Sequence, residues 1–275
     1  MDAELAICRT CGTQFGVVNP ERCPICEDPR QYVPRGGQAW TTLSALRRDH
    51  HNRFAAQGEL TGIVTEPSFA IGQRALLVPF GERNLLWDCI TLFDEDTAAL
   101  VQRRGGLAAI AISHPHYYSA MVEWARWFDC PIHLPSADRE WVVRPDPRIA
   151  YWDGDRLELG QGLTLIRTGG HFPGATVLHR AAPDGSGTLL AGDVCLPVPD
   201  ARYVCFLWSY PNRVPLPAAD VRRIGDAVAP FDFEVMHCAF WDNEVADAKR
   251  VWTRSIERFA TAVQTPGGSR EAADQ

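Results

Sequence analysis

The chain has 275 residues, 46% of them hydrophobic and 22% charged, enough to bury a large core in one or two domains. Its 27 basic and 34 acidic side chains leave a charge of −7, which argues against a broad basic surface for nucleic acid and favours a small-molecule partner. Lys249 is the sole lysine, and no Gly-Lys-Ser/Thr phosphate loop, G-x-G-x-x-G or G-x-S-x-G occurs, so nucleotide-dependent and serine-hydrolase chemistries are disfavoured.

No apolar run reaches the roughly 18 residues of a membrane span, and Met1-Asp2-Ala3-Glu4 lacks the cationic start of a signal peptide; a cytoplasmic protein with no membrane partner is expected. Nine cysteines, an odd number, suit reduced thiols kept for metal or packing better than a disulfide framework. Cys8-Arg9-Thr10-Cys11 and Cys23-Pro24-Ile25-Cys26 form two C-x-x-C pairs, with Gly12 and Pro24 suited to tight knuckle turns. Four thiolates at about 2.3 Å make a closed zinc site, and roughly 10 kcal/mol or more of binding energy folds a segment too small to own a core. A redox C-x-x-C is expected once, opening a helix after a strand, not twice among Pro and Gly. Residues 1–35 therefore read as a zinc ribbon, and 36–57 as linker and helix, with Arg47-Arg48-Asp49-His50-His51 on an exposed helix face. Cys89, Cys130, Cys195, Cys205 and Cys238 sit in apolar surroundings and are expected to pack.

Residues 58–263 form the main domain. Short apolar runs broken by Gly and Pro predict strands over 60–64, 69–71, 75–78 and 84–89. Asp94 caps a helix that stops at Gly105-Gly106, followed by a buried strand over 107–113 and a helix over 119–128. Strands over 163–168, 176–182 and 188–191 follow, the last two joined by a turn at 183–187. A helix over 217–228 and a strand over 233–236 come next. Val245, Ala248, Trp252, Ile256, Phe259 and Val263 then stripe a final helix, and 264–275 read as a disordered tail. The pattern is α+β: two mixed sheets packed together with helices outside.

The chemistry is expected at strand ends. His114-Pro115-His116 follows one predicted strand, His171 follows Gly169-Gly170, Asp193 follows Gly192 and His237 follows Met236. His114 and His116, two apart on extended backbone, share a side and can bind one ion; His171 completes a three-histidine face with a position open for water. Asp193 adds a negative ligand or a base. Of the two phenols, Tyr117 and Tyr118, Tyr118 is taken as a proton donor, with wall packing the plainer alternative for both. Tyr203, Phe206, Trp208 and Tyr210 with Phe240-Trp241 form either an apolar pocket beside the metal or an irregular core loop.

These residues resemble the metallo-β-lactamase-fold superfamily over roughly 58–262. Asn84-Leu85-Leu86-Trp87-Asp88 looks like that family's strand ending in Asp, His114-Pro115-His116-Tyr117-Tyr118-Ser119 stands in place of its H-x-H-x-D-H motif, and His171, Asp193 and His237 match its later ligands in order. The resemblance implies an αβ/βα four-layer sandwich with a metal at one edge of the sheets, and a metal-activated water acting on esters, thioesters, lactones or phosphodiesters. Tyr118 and Ser119 replace an Asp and a His of the motif, which removes two ligands of a second metal. By the resemblance the first site keeps His114, His116 and His171, while the second retains only Asp193 and His237, too few for a closed shell, so one catalytic metal, Zn or Fe, is expected. Asp88 reads as support for a neighbouring histidine or loop.

Three functions follow. The first is a metal-dependent hydrolase of a small ester, thioester or lactone-like substrate. The second is a mononuclear iron oxygenase with His114, His171 and Asp193 as its facial triad, as in persulfide-oxidising relatives. The third is a non-catalytic, ribbon-bearing binding protein. A homo-oligomer is compatible with all three.

Overall fold

The structure is a computed structural model that describes residues 4–264. A seven-stranded sheet runs in the order His51–Gln57, Leu60–Glu66, Ala75–Phe80, Arg83–Trp87, Leu107–Ala111, Ile132–Pro135, Ile149–Trp152. Its first four strands are antiparallel neighbours, and its last four are parallel. A six-stranded sheet follows as Arg156–Gly160, Leu163–Arg167, Thr176–Arg180, Thr188–Gly192, Val235–Cys238, Glu244–Ala246, with only Thr188–Gly192 and Val235–Cys238 parallel.

Alternation along the strands builds the layers. Leu76, Val78, Leu85 and Trp87 meet Leu163, Leu165, Leu178 and Leu190 between the sheets. Ala75, Leu77 and Leu86 face outward with Val101, Trp124 and Phe128 of the helices Glu95–Arg103 and Met121–Phe128. On the other side Val177, Leu189 and Met236 pack on Val221, Ile224 and Trp252 of Ala218–Val228 and Ala248–Gln264. This is an αβ/βα four-layer sandwich. Burying one apolar side chain stabilises by about 1.5–3 kcal/mol, so a one-residue slip, which exchanges every inward and outward row, is strongly disfavoured. The strand ends that carry the site are thereby fixed in space.

The ribbon lies against the seven-stranded half. Ile7–Cys8 pairs with Trp40–Thr41, and Cys8, Cys11, Cys23 and Cys26 share a small core with Phe15 and Ile25, packed on Ile71, Trp141 and Val143. Gly12 O accepts from Thr91 Oγ1 at 2.8 Å, and Gln14 N donates to Ser119 O at 3.0 Å. Gly12 has φ +81, and a Cβ there would lie 2.3 Å from Thr91 Oγ1, so the knuckle's glycine permits the approach.

Several boundaries differ from expectation. The helix expected to carry Arg47 to His51 ends at Asp49, and His51 opens an edge strand of the large sheet, so the boundary drawn at 57/58 cuts a hairpin. Its half-exposed residues give little periodic signal. Residues 69–71 form a turn rather than a strand, and the helix expected from 119 begins at Met121, after Ser119 at φ +43. Ile132–Pro135, Ile149–Trp152 and Arg156–Gly160 were not foreseen, and Val245 belongs to a strand, not to the final helix. The expected tail over 264–275 falls outside the described residues except Gln264, the last residue of the final helix.

Candidate metal centre

His114, His116, His171 and Asp193 meet at one edge of the sandwich, each offering a ligand atom within 4.8 Å of the others. After Leu107–Ala111 the chain reaches Ser113, whose N–H is held by Asp88 Oδ1 at 2.8 Å and whose Oγ lies 2.9 Å from His114 Nδ1. His114 Nε2 is thus left to face the centre. Pro115, which has no N–H to strand, opens a one-turn 3-10 helix that places His116 beside it.

Gly169 and Gly170 (φ +66 and +88) bring the next loop tight onto the helix Ala218–Val228; Cβ atoms there would fall 2.4 Å from Arg223 Nη1 and 2.8 Å from Ile224 Cδ1. His171 then turns back, its Nδ1 3.3 Å from Leu207 O and its Nε2 3.2 Å from His116 Nδ1. Asp193 leaves Thr188–Gly192 with Oδ2 3.6 Å from His114 Nε2.

These separations bear on whether an ion fits. A tetrahedral ion about 2.0–2.1 Å from its nitrogen and oxygen donors spaces them by about 3.4 Å, close to the 3.2 and 3.6 Å found. The donors are 1–5% exposed, and His114 Nε2 and Asp193 Oδ1 have no hydrogen-bond partner. Unpaired buried polar atoms cost about 1–3 kcal/mol each, a cost that coordination removes. Burial, then the neighbouring charges, holds His114 and His116 well below the usual imidazole range, and burial holds His171 down at about 4. The rings are therefore neutral, which is the form that binds metals. Burial lifts Asp193 to about 7, against the Tyr117 hydroxyl, which holds it down. Asp88 is likewise lifted to about 7 by burial, opposed by the Ser113 hydrogen bonds. The residues present suit a divalent ion with four protein donors.

Two expected site residues lie elsewhere. His237 sits within the strand Val235–Cys238, not after it, opposite Leu190 and Glu244. Its Nδ1 is 3.6 Å from Glu244 Oε2, and it lines a groove of about 570 Å³ with Glu59, Arg180 and Glu234, apart from the histidine cluster. The predicted strand ended two residues early, so the side chain was assigned to a loop. Tyr118 is also turned away: its buried hydroxyl has Asp138 and Tyr151 as electrostatic neighbours. Tyr117 is the phenol at the centre, its ring 4.3 Å from His114 and its hydroxyl beside Asp193. Ser119 is occupied with Cys89 O, Gln73 and the ribbon's Gln14.

Phe172 packs on all three histidines, and Tyr210 lies 5.7 Å from His171, so part of the aromatic stretch does wall the centre. Phe206 instead packs on Trp252 and Phe259, as core. Sequence reasoning missed Arg30, which reaches from the end of the ribbon to Phe172 and His171 O.

The four cysteines form the second group of metal-binding type among the described residues. Cys8 Sγ to Cys26 Sγ and Cys11 Sγ to Cys23 Sγ are both 3.6 Å. That is far beyond the roughly 2.05 Å of a disulfide and near the roughly 3.8 Å edge of a tetrahedron with 2.3 Å metal–sulfur bonds.

No family model matches the chain. The Bacillus subtilis (strain 168) protein named uncharacterized protein YmaE is 43% identical over 265 residues, covering 94% of this chain and 97% of YmaE. Among solved structures, the DIM-1 metallo-β-lactamase superposes with a TM-score of 0.58 at 14% identity, covering 78% of this chain and 99% of that one. FIM-1 from Pseudomonas aeruginosa, in its mono-zinc form, gives 0.56 at 14% over 78% and 97%. A metallo-β-lactamase from Hirschia baltica gives 0.55 at 16% over 79% and 99%. At such identities the likeness to the solved structures is one of fold.

Proposed function

We propose that this chain, which belongs to the family of YmaE and has the metallo-β-lactamase fold, is a metal-dependent hydrolase with a single catalytic metal, acting on a small ester, thioester or lactone-like substrate. The observation that carries the reading is the convergence of three neutral, buried imidazoles and one carboxylate, with ligand atoms within 4.8 Å of one another. His114, His116, His171 and Asp193 would hold the ion. A divalent metal there would polarise an acyl carbonyl and would lower the pKa of water from about 15.7 toward about 7.

The remaining work falls to the chain's own groups. Asp193 Oδ1, unpartnered, accepts the proton of the attacking water. Tyr117, beside Asp193, donates a proton to the leaving oxygen or sulfur. Phe172 and Tyr210 exclude bulk water, which strengthens each of these interactions. Asp88 and Ser113 keep the His114 ring turned so that Nε2 faces the centre. The four-cysteine group takes a structural zinc, and a reducing cytoplasm suits its thiols. No helix among the described residues is long and apolar enough to cross a membrane.

The test is metal content per chain in the wild type, in Cys23→Ser and in His114→Ala/His171→Ala, followed by panels of esters, thioesters and lactones. About two metals falling to about one in each variant, with hydrolysis lost in the histidine variant, is the expected result. A single metal lost only with Cys23 would leave a binding protein on a hydrolase fold, and selective iron uptake with no hydrolysis would turn the reading toward an oxygenase.

A further inference from the structure

The ribbon's exit segment, Asp28 to Gln31, crosses the roof of the histidine cluster, and its contacts are concentrated on the parts that aim His171. Arg30 Nη1 donates to His171 O at 3.2 Å, and the guanidinium lies 3.9 Å from the Phe172 ring centre and 5.3 Å from that of Trp141. The segment's main chain is fastened to the short hairpin of Leu207–Ser209 and Val214–Pro215: Ser209 Oγ donates to Arg30 O at 2.8 Å, and Asn212 Nδ2 donates to Pro29 O and Gln31 O at 3.0 and 3.1 Å. The same hairpin supplies Leu207 O, which faces His171 Nδ1. His171 is thus held from two directions, its main chain by Arg30 and its ring by a hairpin tied to the same segment.

Arg30 is itself immobilised. Asp28 takes its Nε and Nη2 at 2.6 and 2.9 Å and its main-chain N–H at 2.9 Å, with both side chains largely buried. A planar fork can serve a carboxylate on one edge and a carbonyl on the other while lying over a ring, whereas an ammonium cannot. The segment starts two residues after Cys26, the last thiol of the ribbon, at the C-cap of the helix Pro24–Glu27, so the four-cysteine cluster sets where it begins.

We infer that Asp28 to Gln31 is a positioning strap through which the ribbon sets the third histidine of the metal centre, and with it the affinity of that centre for its ion. The inference rests on the metal-centre reading above. Arg30 touches neither ion nor substrate; it is a positioning residue. Removing the partners that orient a ligating histidine typically weakens metal binding by about 10–100-fold.

The test is Co²⁺ titration of full-length chain stripped at the histidine centre, followed by visible absorption, alongside metal content and unfolding midpoints. Arg30→Ala is expected to weaken Co²⁺ at the histidine centre by about tenfold or more, with the four-cysteine metal retained. Arg30→Lys should recover only part of the loss, and Arg53→Ala, an edge-strand arginine paired with Glu66, should change nothing. Ser209→Ala/Asn212→Ala frees the strap's main chain while leaving the Arg30 side-chain contacts in place; it should weaken Co²⁺ in the same direction, and it decides the matter if Arg30→Ala does not fold. Folded variants that bind Co²⁺ within twofold of the wild type overturn the inference. A wild type that takes no Co²⁺ at the centre overturns it together with the metal-centre reading. A wild type that binds Co²⁺ tightly, weakened by the strap variants, yet hydrolyses nothing upholds the strap and refutes only the hydrolase.

Discussion

Gly192→Ala strikes the point where the two halves of the centre are set against each other. Gly192 has φ +52, and a Cβ built on it would lie 2.4 Å from Ser113 Oγ and 2.5 Å from Ser113 Cβ, with Asp88 Oδ2 at 3.5 Å. A side chain in the left-handed region costs about 1 kcal/mol. The overlap must be relieved by moving Ser113, which is held on three sides: its N–H by Asp88, its Oγ at His114 Nδ1, and its O by Thr176 N at 2.9 Å. Overpacking of this kind costs about 1–3 kcal/mol, so the variant should lose about 2–4 kcal/mol, a large share of a typical domain's stability. It should also bind the centre's metal more weakly, because the displaced Ser113 carries His114 with it. Urea unfolding and Co²⁺ titration read the two effects separately. Adding Ser113→Gly removes the overlap and should recover the packing part of the stability loss, but not the metal affinity, because the support of His114 Nδ1 is gone. A Gly192→Ala chain that loses less than about 1 kcal/mol and binds metal normally would refute the claim that this contact sets the centre.

Exchanging the two phenols one at a time separates their roles. Tyr117→Phe should lower kcat for any substrate found by about 10²-fold with metal content unchanged, whereas Tyr118→Phe, which deletes a buried and unpartnered hydroxyl, should leave kcat alone and be neutral or slightly stabilising; the opposite pattern would restore Tyr118 to the site. Asp138 offers a test by pH. Burial raises its carboxyl from 3.8 to about 6, opposed by the Gly174 N–H. A raised carboxyl contributes stability that is fully present below its unfolded pKa and lost as pH climbs through the folded value, here about 3 kcal/mol between pH 4 and 6. Asp138→Asn keeps an acceptor for Gly174 and should flatten that part of the wild type's decline; equal pH slopes in urea unfolding would show that Asp138 is ionised at little cost.

What the sequence revealed of the centre follows from which constraints are local. A strand that ends in an apolar run and then a polar ligand announces itself, so His114, His116, His171 and Asp193 were legible one by one, as were the paired cysteines. Orientation was less legible. A strand end misplaced by two residues put His237 in a loop, although it lies inside Val235–Cys238, opposite Leu190 and Glu244. Tyr117 and Tyr118 are adjacent on a 3-10 turn and point apart, and the side each takes depends on where the next helix starts, at Met121 rather than at 119. The edge strand His51–Gln57 carries no alternation because neither face is fully covered. Arg30 and His171 are 141 residues apart, and no spacing rule joins them. That contact has a counterpart at the H-x-H segment. Ser119 stands where a second metal's ligand is expected, and its carbonyl receives the ribbon's Gln14, while the ribbon's exit segment braces His171. Both contacts come from the four-cysteine ribbon, so the segment that follows the H-x-H pair and the loop that carries His171 are braced by the same N-terminal unit.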